Sequence, residues 1–468
     1  MMKKAPLFLL LLPFFTQLNA TTWEIGPSRT YTQPSAVASL AADGDTVNID
    51  AGLYSGDVAR WWANRLVLRG VGDGYAHLDA GGNHAEGKAI WVIKGADCVV
   101  ENIEFSGCTV PDQNGAGIRQ EGQNLTLRHC YFHHNEMGIL TVNDGVSEYL
   151  FEGCEFAFNG FGDGYSHNIY VGHVNKLELR NCYSHDSHIG HLVKSRANIN
   201  LLYYNRLTGE NGDGSYEIDL SNGGIAVLVG NIIEQSPDSE NGGMVAFGLE
   251  GATNPGNQIV LTHNTLWNRR FDGRFVHVSN AGMLVRMANN IIAGPGTLLA
   301  GTPAVLDTVG NLRFSQIAGA QLEAPEDYLF RPLPGSPCID AGMAIAPLEN
   351  YILYPQEQYL HPQQSESRTV HGNAADAGAF EYAAPSGVQE AWGGTSAPQI
   401  FPNPVLNGRI TLHQNHPGRI RLFDAPGRQY GEWQGHSGEQ TITLPNVPPG
   451  IYFLRSDAFP TAAVIVIP

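Results

Sequence analysis

Short runs in which apolar and polar residues alternate with a period of two recur from about residue 22 to residue 383. Many close on one phrase: Cys or Asn, any residue, then a mostly apolar one. It reads Cys130-Tyr131-Phe132, Cys154-Glu155-Phe156, Cys182-Tyr183-Ser184, Asn205-Arg206-Leu207, Asn231-Ile232-Ile233, Asn264-Thr265-Leu266 and Asn290-Ile291-Ile292. Successive phrases lie 24, 28, 23, 26, 33 and 26 residues apart. Gly/Asn/Asp clusters such as 159–164 and 211–214 mark turns between the runs. Short strands at irregular spacing, without helical periodicity, predict a parallel β-helix in which each repeat is one coil. A single coil cannot bury its inner face, but coils stacked about 4.8 Å apart bury each other's and set like residues in ladders. A leucine-rich repeat or a propeller would show other phrases. The Ala-rich segment Pro34–Ala42 has apolar residues at helical spacing and predicts a short amphipathic helix capping the first coil.

The pattern changes near residue 385. Residues 385–398 read as a linker, and 399–468 as a compact run of strands, with alternation in Ile420–Asp424, Thr441–Leu444 and Gly450–Leu454. At the other end, Lys3 and Lys4 precede the apolar run Ala5–Phe15 and a small residue at Ala20, the layout of an export signal over residues 1–20. The β-helix is therefore assigned to 21–384. The apolar run is short for a bilayer span and no later stretch reaches the needed length, so no transmembrane segment is expected.

Composition narrows the partners. The chain has 468 residues, 45 acidic and 27 basic, for a net charge of -18. Without a basic tract, nucleic acid is not an expected partner. The 55 glycines and 27 prolines suit a turn-rich all-β chain. Six cysteines in an exported protein suggest disulfides, but Cys130, Cys154 and Cys182 share one position of the repeat and read as buried packing residues. A Cys98–Cys108 bridge stays open.

Polar residues are densest between 164 and 250. Counting back from Cys182, Asn205 and Asn231 puts Asn168, His191 and Glu217 in one column. It puts Tyr170, Val193 and Asp219 in a second, and His173, Arg196 and Asn222 in a third. Adjacent coils would thus gather these groups on one exterior sheet, in a trough suited to a polymer. His167, His188 and Glu250 complete the candidate set. The same count sets Lys194 with Val171 and Leu220, facing inward, unless the register shifts there. His185, His188 and His191 are spaced as on a zinc-binding helix, but the segment reads as turn and strand, where such rings do not converge. Arg269, Arg270, Arg274 and His277 read either as a cationic strip for an acidic glycan or as solvated turn residues. The aspartate clusters of an inverting hydrolase are absent from the sequence.

Residues 22–383 resemble secreted right-handed parallel β-helix proteins of the pectin-lyase-like superfamily. Thr30-Tyr31, Gly44-Asp45-Thr46-Val47 and Ala51-Gly52-Leu53-Tyr54 resemble the opening of those proteins. Ser336–Gly342 and Asp376–Tyr382 resemble their closing phrases. The last 70 or so residues, from Phe401-Pro402-Asn403-Pro404 onward, resemble the C-terminal sorting domain of type IX secretion substrates, a small β-sandwich. That resemblance implies a Gram-negative protein that passes both membranes, is released or held at the cell surface, and meets the secretion machinery through this domain; a monomer is expected. Lys194-Ser195, with Asn198 and Asn205, is similar to a segment of β-helix polysaccharide lyases. This implies β-elimination on a uronate-containing extracellular polysaccharide, with Lys194 as base and His191, Arg196 and Asp219 as partners. His167, Asn168, Tyr170, His173, His188, Glu217, Asn222 and Glu250 would bind the chain. The family's calcium carboxylates would fall at Ser187 and Ile189, so the metal ligands are left unassigned and calcium is the one cofactor the resemblance brings in. The family's Arg on the next coil has no counterpart within 219–224. The rival reading is a surface protein that binds glycans without cleaving them.

Overall fold

A computed structural model describes residues 20–348, 350–382 and, with short interruptions, 400–466. The expected export signal, up to residue 19, and the expected linker 385–398 lie outside the described residues. Two compact units divide near residue 383.

The first unit is a right-handed parallel β-helix. Each full coil contributes three strands in chain order, for example Lys176–Arg180, Tyr183–His185 and Val193–Ser195, which we number as faces one, two and three. The third face is a ten-stranded parallel sheet. The other two run side by side and are joined by a tight corner. From Arg128 to Leu312 that corner holds two residues: one in the left-handed region, then a Cys or Asn. His129, Asn181, Tyr204, His263 and Asn289 take the left-handed position at φ 50–57°, and Gly153, Gly230 and Gly310 take it elsewhere.

The Cys/Asn side chain explains why the phrase repeats. Asn231 Nδ2 donates to Asn264 Oδ1 on the next coil and to the Leu202 carbonyl, both at 2.9 Å, and its backbone N–H donates to the same Asn264 oxygen. Asn205, Asn264 and Asn290 repeat the arrangement, ending on Asn311. Cysteine fills the same site lower down: Cys182 Sγ donates to the Phe151 carbonyl at 3.4 Å, as Asn205 does to Leu179. All six cysteines are buried free thiols, Cys98 and Cys108 included. Inside the coil, Phe105, Phe132 and Phe156 stack with centroids 4.9 Å apart and ring planes within 12°, the geometry that strand spacing imposes.

The lower end differs from expectation. Pro34–Ala36 forms a single 3-10 turn, not an amphipathic α-helix. Pro34, Val37 and Ala38 are buried on the first coil, but Leu40 is 50% exposed. The apolar stripe therefore ends after one turn, and a second would have nothing to bury. Asp57 fixes the turn by accepting the Ser35 N–H. At the upper end, the segment after Phe314 folds back over faces one and two. Phe330, Tyr359 and Phe380 cover Tyr183, Ile232 and Trp267, while Ile345 and Leu353 cover Tyr203, Tyr204 and Val260.

The second unit is a small β-sandwich of a three-stranded and a four-stranded antiparallel sheet. Its core includes Val405, Ile410, Leu412, Ile420, Leu422, Ile442 and Leu454.

Asn231→Ala removes the partner of two backbone groups and two neighbouring amides in a dry corner. A loss of about 2–4 kcal/mol follows if each orphaned group costs its usual penalty. Urea unfolding of Asn231→Ala and of the corner swap Asn231→Cys should rank the cysteine variant as the more stable.

Candidate functional site

Along the third face side chains alternate in and out. Val193 pairs with Ile218, and Val171, Ser195 and Leu220 lie side by side, all inward and buried. Tyr170, Lys194 and Asp219 form the outward row between them. Lys194 therefore faces out, where counting had turned it in. The reason is a turn of unequal length. Three residues (196–198) separate Ser195 from Ile199, whereas four separate Val171 from Lys176 (172–175) and Leu220 from Ile225 (221–224). A count from the next corner assumed equal turns and slipped by one.

The outward row carries a closed set of charges. Lys194 Nζ donates to Asp219 Oδ2 at 2.9 Å and to Glu250 Oε1 at 2.6 Å. Arg196 donates from Nε to the Tyr170 hydroxyl oxygen at 3.0 Å, from Nη1 to Asn222 Oδ1 at 2.8 Å and from Nη2 to the other oxygen of Glu250. Glu250 reaches them from a turn whose own N–H is bonded to the Ser221 carbonyl. The Ser221 hydroxyl, which sequence reasoning missed, donates to Asp219 at 2.7 Å. Lys194 and Asp219 are buried, while the Glu250 side chain is 43% exposed.

These contacts overturn the role given to Lys194. Burial alone would lower its pKa, but the Asp219 and Glu250 carboxylates outweigh burial and hold it above the usual lysine range. A doubly paired ammonium has no lone pair to take a proton, so Lys194 is a cation of the site and not its base. Glu250 is pulled the other way. Burial raises its pKa, yet Lys194 and Arg196 together bring it below the ordinary carboxylate range.

A second stack borders the row. The His167 and His191 rings lie parallel, 4.5 Å apart, with Tyr216 above His191 at 5.2 Å. His167 Nδ1 accepts the His191 N–H, and His191 Nδ1 accepts the Tyr216 N–H. In neutral rings this leaves the proton on Nε2, which in His191 points to Asp219 Oδ2 at 3.6 Å. Burial pushes His191 down to about 4 and holds His167 well below the usual histidine range, so both are neutral near pH 7.

Four expected binders lie elsewhere. Asn168 belongs to an internal corner ladder: it accepts from Asn159 and donates to the Phe156 and His185 carbonyls. Glu217 is buried beside Gln235, and burial, with Glu234 adding to it, pushes its pKa well up. His188 pairs with Asp213 on an exposed turn, and His173 is exposed with its backbone N–H on Asn143. His185 is bonded to Asp186 and Glu155 on face two, so the three closely spaced histidines have separate partners. Of the upper arginines, Arg269 is tied to Glu234 and Arg270 to Asp272. His277 continues the outward row beyond Asp219 and Ala246. Arg119, two coils below Tyr170 in that row, was also missed. It is half-buried, burial lowers its pKa although the Glu121 carboxylate acts to raise it, and it makes no salt bridge among the described residues. Extending the Tyr170 column down to the coil of Cys130 would have landed on its neighbour Ile118.

No family model matches the chain, and no curated protein does. Among solved structures it is similar to the pectate lyase Pel9A, at 13% identity and a TM-score of 0.49, over 78% of this chain and 96% of that one. It is also similar to a pectin methylesterase mutant in complex with a hexasaccharide, at 9% identity and a TM-score of 0.32, over 60% and 80% of the two chains. A third is the A-module of the Azotobacter vinelandii mannuronan C-5 epimerase AlgE6, at 14% identity and a TM-score of 0.35, over 60% and 93%.

Lys194→Met should destabilise the β-helix by about 3–5 kcal/mol, because Asp219 is left as an uncompensated buried charge. Adding Asp219→Asn should return most of that loss in denaturant titrations. A carboxyl with a raised folded pKa favours folding below its unfolded pKa, and the benefit fades as pH rises through the folded value. Glu217→Gln should therefore raise Tm relative to the parent chain above about pH 4.3, the unfolded glutamate pKa, by a margin that grows as pH rises toward the folded value.

Proposed function

We propose that this chain is an exported protein that cleaves uronate-containing polysaccharide by β-elimination in the trough around Lys194. The observation that carries the reading is the grip on Glu250: two cations, Lys194 and Arg196, converge on one half-exposed carboxylate. A uronate carboxylate has the same charge and shape and is the ligand such a pair suits. With that carboxylate in place of Glu250, the cations neutralise the charge that spreads onto it when the adjacent C–H proton leaves. Tyr170 supplies the proton transfer. Its hydroxyl oxygen accepts from Arg196 Nε and, as the phenolate, takes the proton α to the carboxylate. The C–H electron pair becomes a carbon–carbon double bond, the bond to the glycosidic oxygen breaks, and the proton passes on to that oxygen. Arg119, unpaired lower in the row, suits a further carboxylate of the same polymer. The N-terminal signal pattern and the resemblance of the C-terminal sandwich to a sorting domain support release outside the cell or retention at its surface.

One observation favours the rival reading of glycan binding without cleavage. Lys194 and Asp219 are only 7% and 3% exposed, so the centre of the row is closed unless Glu250 yields.

Alginate, pectate and glycosaminoglycans should be screened for unsaturated uronate products by ultraviolet absorbance. Product is expected on at least one class, with Tyr170→Phe lowering kcat by about 100-fold or more and Arg196→Ala lowering kcat as well as raising KM. Binding to such a polymer in affinity electrophoresis, with no product from any of the three, would leave the non-catalytic reading.

A further inference from the structure

Far from Lys194 in sequence, His77, Glu104 and His133 occupy three consecutive coils of face two. The register pairs His77 with Glu104 and Ser106 with His133, so the three side chains meet on the outer surface. His133 Nε2 lies 2.9 Å and His77 Nε2 3.6 Å from the same oxygen, Glu104 Oε1, and the three potential ligand atoms all lie within 4.8 Å of one another. We propose that these residues form a binding site for one divalent transition-metal ion of the zinc class.

Four features support it. First, a tetrahedral ion with bonds of about 2.0–2.1 Å needs ligand atoms about 3.3 Å apart. The two measured separations bracket that edge, so small side-chain rotations suffice. Second, the donor set is two imidazoles and a carboxylate, which suits zinc, cobalt or nickel and not the all-oxygen shells of calcium and magnesium. Third, Glu104 has no Lys or Arg partner among the described residues, whereas Glu86, Glu101, Glu121 and Glu152 each pair with one. The charge that elsewhere meets an ammonium or guanidinium here faces only two imidazoles. Fourth, the side chains are 15–26% exposed, so solvent can reach the outer side of the group and complete a coordination shell.

The surroundings fit as well. His133 Nδ1 is 2.8 Å from His134 Nδ1, an outer contact of the kind that fixes which nitrogen of a ligating histidine is free. The Ser106 hydroxyl, 2.7 Å from His77 Nε2, can swing away or add a weak oxygen ligand. A second group on the same face, His185, Asp186 and Glu210, makes the contrast. There Arg206, Tyr183 and Thr208 all donate to Glu210 Oε1, and the closing segment lies against it through His361 and Tyr183, so no cation is called for. Because each ligand comes from a different coil, a bound ion would tie three coils together from outside, independently of the chemistry assigned to Lys194.

The test uses the full chain without a polyhistidine tag, freed of metal by chelator. Cobalt(II), followed by visible absorption, and zinc, followed by calorimetry, should each saturate at one equivalent, and zinc should raise Tm. Glu104→Gln and His133→Ala should weaken binding at least tenfold, while His371→Ala, at an exposed site elsewhere, should not. If a histidine variant fails to fold by circular dichroism, Glu104→Gln, which preserves size and shape, decides alone. No saturable binding, or binding that Glu104→Gln leaves unchanged, overturns the site.

Discussion

Everything in the first unit depends on hydrogen bonds that run along the stack at one corner. Where face one passes into face two the backbone bends within two residues, and the groups it frees lie inside, away from water. An unpaired amide there would cost about 1–3 kcal/mol, and the corner is repeated on every coil from Arg128 to Leu312. Asn answers with one side chain that accepts from the coil below and donates to the coil above. The cost of the tight turn thus becomes the device that fixes the height and register of the next coil. Once register is fixed, like residues align, the phenylalanines stack at the strand spacing, and outward rows can carry chemistry.

That constraint explains what could be read from the chain. The Cys/Asn phrase marks the corner because few side chains fit and pair there, and it fixed the coil architecture without any view of the packing. The rows on face three were legible only in part. Tyr170, Asp219, Arg196, Asn222 and Glu250 do gather, yet Lys194 landed on the wrong side because the turn after it is one residue short. Nothing in Ser195-Arg196-Ala197-Asn198 announces that length. Asn168 and Glu217 failed for another reason. Each sits near the point where the chain turns onto face three, and there alternation no longer separates a side chain facing solvent from one entering a corner. His77, Glu104 and His133 are separated by intervals of 27 and 29, so only the register of the coils brings them together.

The candidate site is also a lesson in charge balance. Lys194 next to Ser195 suggested a base, since a lone buried lysine loses its proton readily. Two carboxylates reverse that outcome, Asp219 on the next coil and Glu250, 56 positions away in the chain. The same carboxylate defines the shape of what could replace it.

The three crossings of a coil are unequal in freedom. From face one to face two the path holds two residues throughout most of the stack. From face two to face three it ranges from three residues (134–136) to eleven (158–168). The longest crossing carries the exposed rings of Phe161 and Tyr165 on the border of face three. Growth of the chain thus falls at the crossings on either side of face three, where a few added residues would raise a wall beside the Lys194 row while the corner ladder stays untouched. The rigid spine and the adjustable rim of this protein are built from separate stretches of every turn, so the rim can be reshaped without unwinding the spine.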